Sequence, residues 1–206
     1  MAIANGYCTL AEARAELSQT EVTYTDDDSV IETRVEMASR AIDAITGRRF
    51  YLNSADETRY YQSDNGSLFK CSDDISSITT LKTDTDNSFT YSDTWTADTD
   101  YWLEPVNAAL NGKPYTQIRV HPTGSYAFPN LPKGIQIVGK FGYFVTAINP
   151  MIHVACLLLV NRIFERRNTP LGIGGSAALG TVMLIARRDP DVMEILAVFM
   201  RDLGPV

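Results

Sequence analysis

The stretch NPMIHVACLLLVNRIFERRN, residues 149–168, decides how the rest of the chain is read. Asn149 is a good helix N-cap, and Pro150 suits the first helical position, where its missing N–H is one the helix leaves unpaired anyway. From Met151 to Val160 the residues are apolar on every side, broken only by His153. That composition predicts a helix buried on most of its faces. The apolar run is about 10 residues against the ~20 that cross a bilayer, so the helix belongs to a core and no membrane partner is expected. Arg162, Arg166 and Arg167 fall in its last turns, where cations suit the helix C-terminus and a wet surface. One small subunit offers little to cover such a helix all round. The sequence therefore predicts either a bundle with this helix at its centre or a neighbouring subunit against it.

Two helices are expected upstream. Thr9-Leu10-Ala11-Glu12 reads as a capping box opening a short helix to about Leu17. A polar, acidic linker ends in Asp26-Asp27-Asp28, and Ser29-Val30-Ile31-Glu32 reads as a second capping box. Behind it Ile31, Val35, Ala38, Ile42 and Ile45 make one apolar stripe at helical spacing. Glu36 and Arg40 are placed for an i, i+4 pair, Gly47 ends the helix as its C′ residue, and Arg48-Arg49 follow the negative end of its dipole.

From Phe50 to about Phe144 the chain is rich in Thr, Ser, Asp, Tyr and Phe, with short β-like runs between turn residues. Strands are predicted at Thr58–Gln62, Leu68–Cys71, Ile75–Lys82, Asn87–Tyr91, Tyr101–Glu104, Gln117–His121 and Ile135–Phe141. Asp64-Asn65-Gly66 suggests a hairpin turn between the first two. Beyond the central helix, residues 169–188 hold too many glycines for a helix at their start and too many apolar residues for a solvated linker. A flexible arm or hairpin is expected there. Asp189-Pro190 restarts a helix with Val192, Ile195, Leu196, Phe199 and Leu203 on one face, ended by Gly204-Pro205.

The expected fold class is α+β: a bundle of about four helices with a small antiparallel sheet inserted between the second and third. The expected domains are residues 1–49, a β-rich insertion at 50–148, and core helices at 149–206 with a glycine-rich apolar arm at 169–188. The net charge of −7 is unevenly spread. Residues 1–104 hold 20 acidic and 8 basic residues, and residues 105–206 hold 5 and 10. Such a charge dipole lets like copies pack positive end to negative side, and nothing in it resembles a basic nucleic-acid stripe. Cys8, Cys71 and Cys156 are odd in number and without a CxxC, which argues for a reduced compartment; the N-terminus lacks a secretory pattern.

No constellation argues for chemistry. Two histidines cannot build a histidine-rich metal site, and His153 reads as a packed or interface residue. Gly172-Ile173-Gly174-Gly175-Ser176 lacks the Gly-Lys-Ser/Thr ending and the preceding strand of a phosphate loop. The acidic pairs match no calcium loop, and no base accompanies the serines and threonines. Neither catalytic, cofactor-binding nor metal-binding residues are expected, and the chain does not read as an enzyme.

The order of elements resembles the head–tail connector, or adaptor, proteins of tailed bacteriophages, in the larger form with a β-rich insertion. Two opening helices end in a Thr-Gly-Arg-like signature, matched by Thr46-Gly47-Arg48. The third begins at a proline and ends in a Phe/Tyr-Glu-x-Arg-like run, matched by Phe164-Glu165-Arg166-Arg167. The resemblance implies a virion-neck protein, made and assembled in the host cytoplasm. It implies a ring of about twelve copies below the portal, continuing the DNA channel towards a tail, stopper or terminator protein. DNA would pass without sequence-specific binding, past carboxylates that repel its phosphates. Arg162, Arg166, Arg167, Leu171, Ile173, Leu179 and Met183 are the candidate subunit or portal contacts. A tail-completion or terminator module of the same neck, and a small ligand-binding or enzymatic domain, are the alternatives.

Overall fold

The computed structural model describes residues 2–18, 28–143, 148–166, 173–174, 183–184 and 189–201. These form two compact units, one from Met1–Gly47 with Ile148–Val206 and the other from Arg48–Ala147. The class is α+β, with four α-helices and a six-stranded antiparallel sheet among the described residues.

The first unit is helical: α1 (Leu10–Ser18), α2 (Asp28–Thr46), α3 (Pro150–Glu165) and α4 (Pro190–Ala197). Thr9 caps α1 as the sequence predicts. Its Oγ1 accepts the Glu12 N–H at 3.2 Å, and the Glu12 carboxylate accepts the Thr9 N–H at 2.8 Å. Asn149 caps α3 by accepting the Met151 N–H at 2.9 Å, with Pro150 behind it. The stripe of α2 is buried at Ile31, Val35, Ala38 and Ile42. Gly47 (φ 66°) ends that helix in the left-handed region.

Two helix boundaries differ from expectation. Ser29 is not an N-cap: α2 already includes Asp28, and the Ser29 carbonyl accepts the Thr33 hydroxyl at 2.8 Å within the helix. Helix α4 stops at Ala197 and does not run on to Leu203. There Phe199 and Met200 donate back to Leu196 and Ala197, and Arg201 N–H donates to the Thr46 carbonyl at 2.9 Å. The backbone leaves the helix to satisfy an orphan carbonyl at the end of α2. Leu203, Gly204 and Pro205 lie outside the described residues, as do Asp26 and Asp27.

Helix α3 packs against α1, α2 and α4. Residues 2–8 lie on α2, held by side chains. Glu36 accepts the N–H groups of Ala4 and Asn5, Ser39 Oγ accepts that of Tyr7 at 3.0 Å, and the Tyr7 hydroxyl donates to Asp43. Arg40 bridges Glu36 and Asp43, as the i, i+4 spacing predicts for the first of them. A short antiparallel pair, β7 (Ile173–Gly174) with β8 (Met183–Leu184), completes the described part of this unit.

The second unit is built from β1 (Glu57–Tyr61), β2 (Leu68–Thr83), β3 (Asp93–Trp95), β4 (Tyr101–Glu104), β5 (Tyr115–Val120) and β6 (Ile135–Phe141). The order is β1-β6-β2-β5-β4, with β3 also on β2. Strands β4 and β6 have their predicted limits. The predicted strands at 68–71 and 75–82 are one long strand, whose bulges let it pair with β5 through its first half and with β6 through its second. The turn at Asp64-Asn65-Gly66 is real but joins no hairpin, because β6 lies between β1 and β2. Asn65 Oδ1 instead accepts the Ser67 and Leu68 N–H groups and launches β2.

Asn87–Tyr91 is a loop and not a strand. The buried Asp84 carboxylate accepts the N–H groups of Asp86, Ser88 and Phe89, so the backbone wraps around it, with positive φ at Asn87, Phe89 and Tyr91. Gly139 is obligatory where β6 crosses the β2 bulge, since a Cβ there would run into the Ser77 carbonyl. One face of the sheet buries Phe69, Ile75, Leu81, Ile118, Ile135, Ile137 and Phe141, and Phe128 stacks on Trp95 at 4.7 Å. Arg48 and Arg49 are spent here. Arg48 pairs with the buried Asp74 at 2.5 Å, and Arg49 and Arg59 both hold Glu57.

Candidate subunit-contact surface

Helix α3 buries one stripe and exposes another. Ile152, Ala155, Cys156, Val160 and Phe164 point into the helical unit. Met151 is 41% exposed and Val154 45%, and Leu157, Leu158 and Leu159 are half-buried. The expectation of burial on most faces therefore fails within one chain. Three helices cover only the face they touch, and Met151, Val154 and Leu158 continue along the outer side at heptad spacing. Asn161 and Glu165 extend that line. Asn161 Oδ1 is shielded from solvent and has no hydrogen-bond partner among the described residues. Met37, Val198 and Met200 add exposed apolar surface to the same unit.

At its C-terminal end α3 is tied to its own chain. Arg162 Nη1 meets Asp189 Oδ2 at 2.9 Å, and Asp189 also caps α4 by accepting the Asp191 N–H at 3.1 Å and the Val192 N–H at 3.5 Å. Burial works against the Asp189 carboxylate, but Arg162 and those two N–H groups outweigh it and hold its pKa below the ordinary value. Arg34 lies over the Phe164 ring at 4.6 Å. Arg166 is exposed, on the rim of a cleft of about 150 Å³ lined by Ile45, Leu159, Ile163, Val192 and Met193 together with Arg162 and Asp189. The cleft is lined mostly by apolar side chains, and its charged residues are Arg162, Arg166 and Asp189.

At the other end His153 Nε2 is 3.2 Å from Glu12 Oε2, linking α3 to the capping box of α1. The Thr9 N–H and hydroxyl, with His153, pull the Glu12 carboxyl down to about 2. Among the described residues no group of His, Cys, Asp and Glu could hold a metal ion, and no helix is long and apolar enough to cross a membrane.

Of the contacts expected from sequence, the described structure thus brings Arg162 and Arg166 to one cleft. Ile173 and Met183 fall in the β7–β8 pair, on facing strands. Arg167, Leu171 and Leu179 lie outside the described residues. Sequence reading missed Asp189 as the partner of Arg162, although it placed Asp189 at the start of the last helix. It also missed the outer stripe through Met151, because an all-apolar run does not say which side stays uncovered.

No protein-family model matches the chain, and no curated protein matches its sequence. Its fold is similar to solved structures. A chain of "Neck of empty GTA particle computed with C6 symmetry" aligns with a TM-score of 0.59 at 17% identity, covering 100% of this chain and 96% of that one. A chain of "Neck of native GTA particle computed with C12 symmetry" aligns at 0.59 and 16%, with the same coverage. A chain from the virion of a native gene transfer agent particle aligns at 0.55 and 17%, also over 100% and 96%. At these identities the likeness establishes a shared fold, spanning nearly the whole of both chains.

Proposed function

We propose that this protein is a structural component of the neck of a phage-like particle, acting as a head–tail connector. In this reading it forms a ring of about twelve copies beneath the portal and continues the DNA channel towards the tail. The observation that carries the reading is the end-to-end fold agreement with chains of gene transfer agent necks, one of them computed with C12 symmetry. The uncovered α3 stripe supports it. Met151, Val154 and Leu158 are what an isolated subunit cannot bury and an adjacent copy can. The acidic first half suits a channel wall that DNA phosphates slide past without sticking. The work is architectural, and no turnover is proposed.

The test is the mass of the species in solution, by light scattering, before and after portal protein is added, with negative-stain microscopy of the mixture. Rings of about twelve copies on the portal are expected. A chain that stays monomeric and does not bind portal overturns the reading.

A further inference from the structure

Two thiols the architectural role does not use meet inside the helical unit. Cys8 Sγ and Cys156 Sγ lie 3.5 Å apart, and Ser39 Oγ stands 3.6 Å from Cys156. Both cysteines are buried, at 5% and 0% exposure. Residues 2–8 are otherwise held on α2 by donating to the side chains of Glu36, Ser39 and Asp43 and by accepting from Arg40. Cys71 belongs to β2 of the other unit.

We infer that Cys8 and Cys156 are a redox modification site, which closes under a two-electron oxidant into a disulfide stapling the N-terminal segment to α3. A hydrogen-bonded Sγ–Sγ distance needs only a small side-chain rotation to reach bonding distance. The Cys8 thiol, with Ser39 and the N–H groups of Tyr7 and Cys8, holds Cys156 below the ordinary thiol value. The same thiol contact, together with burial, pushes Cys8 up. Burial opposes ionisation of both thiols, and whichever is oxidised first has the other at hand to resolve it.

With hydrogen peroxide as the oxidant, the thiolate of one cysteine of the pair takes one peroxide oxygen as the O–O bond breaks. Hydroxide leaves, and that sulfur becomes a sulfenic acid. The other sulfur then attacks it, and the S–O bond breaks. Water departs with the second thiol's proton. The two thiols lose two electrons, and the peroxide, reduced, leaves as two waters. In a particle that passes from a reducing cytoplasm to oxidising surroundings, the staple closes on release. That consequence rests on the neck reading, whereas the thiol chemistry does not.

The test uses the full chain, treated with hydrogen peroxide while its far-UV dichroism stays that of the untreated protein. It is then quenched, unfolded, alkylated and peptide-mapped. The expected result is one intramolecular link between the peptides carrying Cys8 and Cys156, rising from a trace to most of the protein and reversed by dithiothreitol. The link persists in Cys71→Ser and disappears in Cys156→Ser. The inference is overturned if both thiols of the wild-type chain remain alkylatable. It is equally overturned if Cys156 is trapped only with Cys71 or with a second copy. Either result leaves the neck reading standing, and a chain that forms the link but never binds portal sinks that reading alone.

Discussion

Arg162 Nη1 sits 2.9 Å from Asp189 Oδ2, and the same Asp189 carboxylate caps α4, so one side chain both starts the last helix and fastens it to α3. The two functions can be separated by substitution. Asp189→Asn keeps an N-cap acceptor but removes the charge, and is expected to cost about 1 kcal/mol. Asp189→Ala removes both the cap and the ion pair with Arg162, and is expected to cost about 2–3 kcal/mol. Urea denaturation of the two variants checks this. Equal costs would show that the cap contributes nothing.

The Thr46-Gly47-Arg48 signature is explained by three different contacts. Thr46 offers its carbonyl to Arg201, Gly47 takes a left-handed φ, and Arg48 reaches the buried Asp74. A Cβ at Gly47 would meet only Arg201 Cβ, at 3.8 Å, so Gly47→Ala should cost no more than the backbone strain of about 1 kcal/mol. Arg48→Ala leaves Asp74, whose side chain is 2% exposed, without its cation, and should cost about 3 kcal/mol. Calorimetric melts of both should rank them in that order. A milder Arg48→Ala would mean that water reaches Asp74.

The capping box gives a pH dependence with a definite sign. The Glu12 carboxyl is lowered from its ordinary 4.5 to about 2 in the folded chain. The unfolded chain therefore binds the proton first as pH falls. The stabilisation is complete above 4.5 and is lost between that value and about 2. With 47% of the Glu12 side chain exposed, solvent screening keeps the effect below about 1 kcal/mol. Glu12→Gln should flatten the loss of stability between about pH 5 and about pH 2. An unchanged slope would assign the acid sensitivity to other carboxylates.

Local signals with a fixed geometry were legible in the sequence. The caps at Thr9 and Asn149, the stop at Gly47, the stripe of α2 and the limits of β4 and β6 each depend on residues within one turn or one alternation. What failed depended on contacts that local composition does not encode. Ser29 has the composition of a cap, but the helix starts before it. Asn87–Tyr91 has strand composition, but Asp84 captures its backbone. The turn at Asn65 could not reveal that β6 would lie between the strands it joins. At the candidate surface the arginines were visible, whereas the pairing of Arg162 with Asp189 needed the packing of α3 on α4.

The two sides of α3 should respond oppositely to charge. Ala155 is fully buried, so Ala155→Arg places an unpaired cation among α1, α2 and α4 and should abolish the cooperative melt. Val154, its neighbour in sequence, is 45% exposed on the outer stripe with Met151. Val154→Lys should change stability by no more than about 0.5 kcal/mol. It should nevertheless prevent ring formation on the portal, because a cation facing Leu158 and Met151 of an adjacent copy would be desolvated without a counter-ion. Thermal melts and negative-stain images of the two variants separate the readings. A Val154→Lys chain that folds and still forms rings moves the subunit interface off α3 and onto another surface, such as the one exposing Val198 and Met200.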